Sequence, residues 1–177
     1  MMTTINAVQK NNIDLTGKWK FSFLEHVQAK AFQSIQELAD SKVQSFDCQV
    51  PGNFETDLVR IGKCEEPFFG MNPEKVRKQT ENHDVYYYRT FEVEKILDAE
   101  PLLVFEGLDC FASVYLNAEK IAETDNMLII HKISLKDKLL KGTNEIFIHI
   151  RPAIIEAQKF DYDAVAFGMP VTPLDEF

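Results

Sequence analysis

The chain has 177 residues, 45% of them hydrophobic and 27% charged, which excludes a disordered or collagen-like polypeptide and fits one soluble domain of ordinary size. A formal net charge of −9 and a pI near 4.9 exclude a phosphate-binding groove, because nucleic-acid affinity rests on Lys and Arg neutralising phosphates. No apolar run approaches the roughly 20 residues of a spanning helix, and the N-terminal MMTTINAVQKNNIDLTG lacks the apolar core of a signal peptide, so no membrane partner is expected and the compartment stays open.

Residues 1–14 are polar and expected to be flexible. Trp19, Phe21 and Phe23 then alternate with Lys18, Lys20 and Ser22, the period of two of a strand with one face in a core. From Glu25 to Lys42 the period changes, and Phe32, Ile35, Leu38 and Ala39 fall on one side of a predicted helix. Ser45 to Val50 is predicted as strand, broken by Pro51-Gly52. Asn53 can cap a short helix through Ile61, ended by Gly62.

Lys63 to Asp84, with Pro67, Phe68, Phe69, Gly70, Met71, Asn72 and Pro73, shows no clear period and is predicted as an irregular loop; a loop of that length inside a compact domain usually has a function or a covering. Val85 to Glu94 is predicted as a long strand with Val85, Tyr87, Arg89, Phe91 and Val93 on one face and Tyr86, Tyr88, Thr90 and Glu92 on the other. Leu102 to Glu106, Phe111 to Leu116 and Lys120 to Glu123 are separated only by turn residues, which predicts an antiparallel meander closed by an Asn117-Ala118-Glu119 connection. Met127 to Leu135 and Glu145 to Arg151 are further predicted strands, with a helical turn near Asp137 to Leu140 and a short helix from Ala153 to Phe160 after Pro152.

Strands outnumber helices and no strand-helix-strand alternation is visible, so the predicted fold class is all-β, a β-sandwich or jelly roll with short helical insertions. Cys48, Cys64 and Cys110 are widely spaced and odd in number, which predicts neither a disulfide framework nor a zinc site. His26, His83, His131 and His149 have no ligand-like spacing, and no phosphate-cradling glycine loop occurs. No metal or other cofactor is expected.

Several segments, in this order, resemble the N-terminal sugar-binding domain of family 2 glycoside hydrolases, and most closely its β-mannosidase branch: LTGKWKF (Leu15 to Phe21), VPGNFETDL (Val50 to Leu58), PFFGMN (Pro67 to Asn72), YYYRTFEV (Tyr86 to Val93), LVFEGLDCFASVYLN (Leu103 to Asn117), TDNM (Thr124 to Met127) and NEIFIHIR (Asn144 to Arg151). The resemblance runs over most of the chain from Leu15 onward. It implies a galactose-binding-domain-like sandwich that helps shape the mouth of an exo-glycosidase active site acting on terminal β-linked sugars. The family hairpin usually reads Asn-Gly, and Ala118 in place of the glycine predicts a different turn type here, since a type I′ turn needs positive φ at both central residues.

Retaining glycosidases use two carboxylates about 5 to 5.5 Å apart, and by the resemblance both lie on a (β/α)₈ barrel outside this chain. Glu65-Glu66 and Asp161/Asp163, the nearest approach to paired acids, are expected to be solvated surface. The branch also carries a Gly-Trp-Asp segment that reaches the sugar, and Trp19 is the only tryptophan here. Residues 15–177 are therefore expected to be a sandwich lacking its closing strands and its catalytic barrel, with an unpaired edge open to self-association. The partners this implies are that C-terminal barrel and the oligosaccharide substrate of the parent enzyme.

By the same resemblance the Pro67 to Asn72 loop packs towards the barrel mouth, which makes Asn72, whose amide can both donate and accept, a candidate substrate contact; Phe68 and Phe69 have rings that can stack on a sugar face, which makes Phe69 the second candidate, against the competing reading of burial or contact with the missing barrel. Catalytic residues are expected to be absent. Arg89 is expected to pair with a carboxylate such as Glu106. The competing readings are a free-standing carbohydrate-binding module, which would show a row of exposed aromatics such as the Tyr86 and Tyr88 face, and a purely structural interaction domain. An accessory domain would instead show an apolar patch around Phe68 and Phe69.

Overall fold

A computed structural model describes residues 12–95 and 100–160. The elements in chain order are β1 (Gly17–Glu25), a 3₁₀ turn (His26–Gln28), α1 (Ile35–Asp40), β2 (Phe46–Val50), α2 (Phe54–Arg60), α3 (Asn72–Thr80), β3 (His83–Val93), β4 (Leu102–Phe105), β5 (Ala112–Leu116), β6 (Glu119–Thr124), β7 (His131–Ser134), β8 (Gly142–Ile150) and α4 (Ala153–Ala157). Six strands form one sheet in the order β2-β1-β3-β8-β5-β6, and β4 pairs with β7 in a second, two-stranded sheet. Every pairing is antiparallel, and the fold is an all-β sandwich with short helices.

The main core lies on the face of the large sheet that carries Trp19, Phe21, Val85, Phe91, Val114, Leu116, Ile146 and Ile148. It is closed by Leu103 of β4, Leu108, Leu135 and Leu58 of α2. The period of two in β1 holds, and Trp19 is 5% exposed, its indole N–H donating to Leu15 O at 2.6 Å. Polar partners for such an indole are the condition for burying it.

The opposite face of the large sheet is covered as well. Between β1 and β2 the chain makes only the 3₁₀ turn and α1, a shorter helix than Glu25 to Lys42 predicts. Helix α1 starts where Ser34 accepts the Glu37 N–H at 3.2 Å and Glu37 reaches back to the Gln33 N–H at 2.9 Å, a reciprocal cap. Phe32 and Leu38 from this excursion bury Tyr86, Tyr88, Tyr115 and Phe147 in a second core.

The predicted meander is not one sheet. Leu102–Phe105 crosses to the second layer, with Phe105 opposite His131 and Leu102 opposite Ser134, while β5 and β6 form a hairpin in the first. Alternation is the physical reason: Leu103 points into the core between the sheets and Leu102 and Val104 point out, whereas every residue of β5 is buried because both its faces are covered. The Asn117-Ala118 turn also departs from expectation. Asn117 has φ 51° and Ala118 φ 67°, so the two-residue loop keeps the type I′ signs although an alanine occupies the second position.

Helix α3 replaces part of the predicted irregular loop. Only Val76 and Thr80 of it are buried, so the apolar period was silent. The ion pairs Lys78–Glu74 at 2.8 Å and Arg77–Glu81 at 2.8 Å, both four residues apart, and a proline in the first turn are what favour it. The predicted strand from Met127 is shorter too. Residues 127–130 are an exposed connection, and β7 begins at His131.

Candidate functional site

The candidate site is the connection from β2 to β3. Pro51 ends β2, and at Gly52 a Cβ would come within 2.3 Å of Gln49 O, so the corner admits only glycine. Asn53 then caps α2 by accepting the Thr56 N–H at 2.9 Å. The helix closes with Lys63 N donating to Leu58 O at 2.8 Å past Gly62, which has φ 70°, a left-handed C-terminal cap.

Pro67 is buried and anchors the next turn, while Phe68, Phe69 and Met71 are 82%, 75% and 71% exposed. Gly70 between them has φ 58°, a left-handed conformation suited to glycine. Asn72 fixes the far side. Its backbone N–H donates to Phe69 O at 3.1 Å, and its side-chain Nδ2 donates to Glu66 O at 3.0 Å. One N–H of the amide is therefore committed to holding the loop, and among the described residues Oδ1 has no partner within hydrogen-bond reach. The structure thus places Phe69 at the tip of the exposed apolar turn and Asn72 half-buried at its base.

Behind this turn, Gly62, Lys63, Cys64, Glu65, Lys75, Val76 and Gln79 line an open depression of about 310 Å³. Its walls are mostly charged or polar, unlike the apolar clefts that take small molecules. Glu65 is engaged by Lys75 at 3.2 Å, and both are well exposed, the solvated arrangement expected of it. Asp161 and Asp163 lie outside the described residues.

Tyr86 and Tyr88, the potential sugar-stacking row, are 0% and 3% exposed. The Tyr86 hydroxyl donates to Lys30 O at 2.9 Å and the Tyr88 hydroxyl to Ser45 Oγ at 2.7 Å, so both serve to fasten the β1–β2 excursion to the sheet. Arg89 does not pair with Glu106. Its Nη1 donates to Leu15 O at 2.9 Å and Thr16 O at 3.1 Å, with the guanidinium 5.9 Å from the centre of the Trp19 ring. The expected ion pair fails because β3 sits in the large sheet and Glu106 follows β4 in the other layer.

Of the three buried carboxylates among the described residues, Asp57, Asp84 and Glu156, the two most deeply buried went unread in the sequence. Asp84, 1% exposed, receives His149 Nε2 at 2.5 Å and His26 Nδ1 at 2.6 Å, tying β3, β8 and the 3₁₀ turn together. Asp57, also 1% exposed, is reached by Arg60 Nη1 at 2.6 Å and by the Tyr87 hydroxyl at 3.3 Å; burial raises its pKa although Arg60 and Tyr87 pull it down. Burial also pushes the Cys48 thiol up to about 12 and raises Cys64 and Cys110, the opposite of a reactive thiolate. Among the described residues no group of three or more His, Cys, Asp and Glu side chains could hold a metal ion. No described helix is long and apolar enough to cross a membrane.

The two antiparallel sheets, with the short helices joined to them, define an all-β sandwich domain. Residues 24–170 match the family model of the glycosyl hydrolase 2 galactose-binding domain-like domain, and the chain belongs to that family. It is 30% identical over 146 residues to β-mannosidase B of Emericella nidulans, covering 78% of this chain and 17% of that enzyme. It is 34% identical over 113 residues to β-mannosidase B of Thermothelomyces thermophilus, covering 63% of this chain and 13% of that enzyme. Among solved structures, a β-D-mannosidase from Dictyoglomus thermophilum matches with a TM-score of 0.67 and 31% identity over 85% of this chain and 17% of that one. The chain thus spans about one-sixth of the length of the β-mannosidases it resembles.

Proposed function

We propose that this chain is the non-catalytic N-terminal domain of a β-mannosidase-like exo-glycosidase and shapes the mouth of an active site whose acids lie on another part of the polypeptide. The observation that carries the reading is the turn Phe68 to Met71. Three large apolar side chains stand in solvent there on a backbone fastened by Asn72 and Pro67, an arrangement with no role in the domain's own core and suited to contact with a second surface. Phe69 is the ring placed to stack on a sugar, and Asn72 Oδ1 the acceptor for a sugar hydroxyl. The alternative, a free-standing carbohydrate-binding module, loses its main support because the Tyr86 and Tyr88 row is buried.

In this reading the remainder of the polypeptide also supplies strands to the second layer, where, among the described residues, β4 and β7 pair only with each other. The test has two arms. The 177-residue chain should give no turnover of an aryl β-mannoside above a buffer blank, and activity that purifies with it would overturn the non-catalytic assignment. In the polypeptide extended to the catalytic region, Phe69→Ala and Asn72→Ala should each lower kcat/KM by 10-fold or more with the fold intact; unchanged kinetics in both would remove the loop from the site.

A further inference from the structure

Lys63 also lines a second depression, of about 390 Å³, which the reading above does not use. Phe23, Leu24, Val43 and Phe46 supply its apolar walls, and Ser41, Lys42, Gln44 and Lys63 its polar ones. It arises where strand pairing stops. β2 follows β1 only from Val50 opposite Gly17 to Phe46 opposite Phe21, whereas β1 runs on beside β3 until Glu25 faces His83. Residues 41–45 therefore approach Phe46 without pairing to the end of β1, and the depression opens between the two segments.

The aromatic walls are held from behind. The Phe23 and Phe46 rings are half-buried, 5.9 Å apart and 24° from parallel. Phe21 packs 5.6 Å from Phe46, and Phe54 5.3 Å from Phe23. Rings fixed in this way meet a ligand face with little loss of side-chain freedom. The two lysines are fixed at their backbones. Lys42 has φ 56° and donates its N–H to Ala39 O at 2.9 Å where α1 ends, and the Lys63 N–H donates to Leu58 O at 2.8 Å where α2 ends.

The charges around the depression have one sign. No carboxylate lines it, and the acids nearest in sequence are engaged elsewhere. Asp40 accepts Gln36 Nε2 at 2.7 Å, Asp47 pairs with Lys20 at 2.9 Å and Glu65 with Lys75 at 3.2 Å. Among the described residues the carboxylates that pair with lysine pair with others than Lys42 and Lys63. In a chain of net charge −9, two ammonium groups without acids beside an aromatic wall select an anion, and the apolar walls favour one that brings a ring over a bare hydrated ion.

We propose that this depression binds a small carboxylate carried on a ring, the ring lying on Phe23 and Phe46 and the carboxylate meeting Lys42 and Lys63. Its volume is near the lower end of the roughly 300 to 1,000 Å³ of small-molecule sites, which suits a single ring. The depression is open to water, so binding is weak, with a Kd of about 0.1 to 10 mM.

Titration of the nitrogen-15-labelled 177-residue chain with benzoate, glucuronate, glucose and inorganic phosphate, each to about 20 mM at low salt and followed by backbone chemical shifts, tests this. At least one ring carboxylate should saturate, with shifts at Phe23, Lys42, Phe46 and Lys63; tighter benzoate marks an aromatic acid as the ligand class and tighter glucuronate a sugar acid. Glucose lacks the charge and phosphate the ring, and each should bind at least about 5-fold more weakly. Lys42→Gln with Lys63→Gln, both at exposed positions, should weaken the ring carboxylate by about 10-fold, and Phe46→Leu, which keeps an apolar side chain in the wall, by about 3-fold. Absence of saturation by both ring carboxylates overturns the proposal. So does glucose or phosphate binding equally well, or a double lysine variant that binds as wild type does.

Discussion

Asn144 is the side chain whose removal the structure makes most legible in energy. It is 1% exposed, and all four of its hydrogen-bonding positions are filled. Its Nδ2 donates to Leu140 O at 2.7 Å and Gly142 O at 3.1 Å, and its Oδ1 accepts Leu140 N–H at 2.9 Å and Asn117 Nδ2 at 2.9 Å. Asn117 in turn accepts the Glu145 N–H on Oδ1 at 2.9 Å, so the pair clasps the β5–β6 hairpin tip, the turn before β8, and β8 itself. Asn144→Ala breaks four bonds, each contributing about 1 kcal/mol net. Leu140 is exposed and its freed groups can turn to water, so the expected loss is about 2 to 4 kcal/mol. With a urea m-value of about 2 kcal/mol/M, typical of small domains, the midpoint should fall by about 1 to 2 M. A double-mutant cycle with Asn117→Ala should return a coupling of about 1 kcal/mol for the bond they share. A midpoint shift below about 0.3 M would refute the reasoning, because it would mean that water replaces the whole clasp without loss.

Ala118 holds φ 67°, a region that disfavours an L-residue by roughly 1–2 kcal/mol; Ala118→Gly relieves this, offset by up to about 1 kcal/mol of unfolded-state entropy, so thermal denaturation should show a Tm unchanged or higher by a few degrees, never lower. Asp84→Asn turns an acceptor of two imidazole bonds into a group with a competing donor and should cost about 3 kcal/mol or more, read from urea unfolding at pH 7. Trp19→Ala removes a buried aromatic from the main core and should cost about 3 to 5 kcal/mol in the same assay. Asp57 has its pKa raised by burial, so the native state keeps its proton to higher pH than the unfolded chain; stability should therefore decline as pH rises from the unfolded value of about 4 through the raised folded value. Asp57→Asn should flatten that part of the wild-type Tm-versus-pH profile, and parallel profiles would show that the carboxyl titrates alike in both states.

Much of the large sheet was legible because its strands alternate. Trp19, Phe21 and Phe23 in β1 alternate with Lys18, Lys20 and Ser22, the period of a strand with one face in a core, and Val85 to Glu94 reads as a long strand even though the α1 excursion buries its second face as well. The pairing of β4 was not legible, since a strand with Leu103 in and Leu102 and Val104 out fits either layer equally. Helix α3 was missed because ion pairs on a solvated face carry its helical character, leaving a hydrophobic period of hardly more than Val76. Asp84 and its two histidines are separated by 58 and 65 positions, and no local pattern marks residues that meet only when β1, β3 and β8 are assembled.

The segments that broke their local patterns divide into two physical kinds. Tyr86, Tyr88 and Phe147 made β3 and β8 apolar on both faces, which an exposed binding sheet would not need, and the reason is the α1 excursion that covers them. Phe68 to Met71 and Met127 to Ile130 are apolar runs without a period, and nothing in the domain's own cores requires them. Each is nevertheless held by side-chain bonds at its base, from Asn72 in one and Asn126 in the other. Ordering a loop whose apolar residues stay in water opposes folding, both through lost backbone entropy and through exposed surface. Such loops persist where the loss is recovered on contact, and on the proposed function the turn Phe68 to Met71 is where this sandwich would meet the rest of the polypeptide.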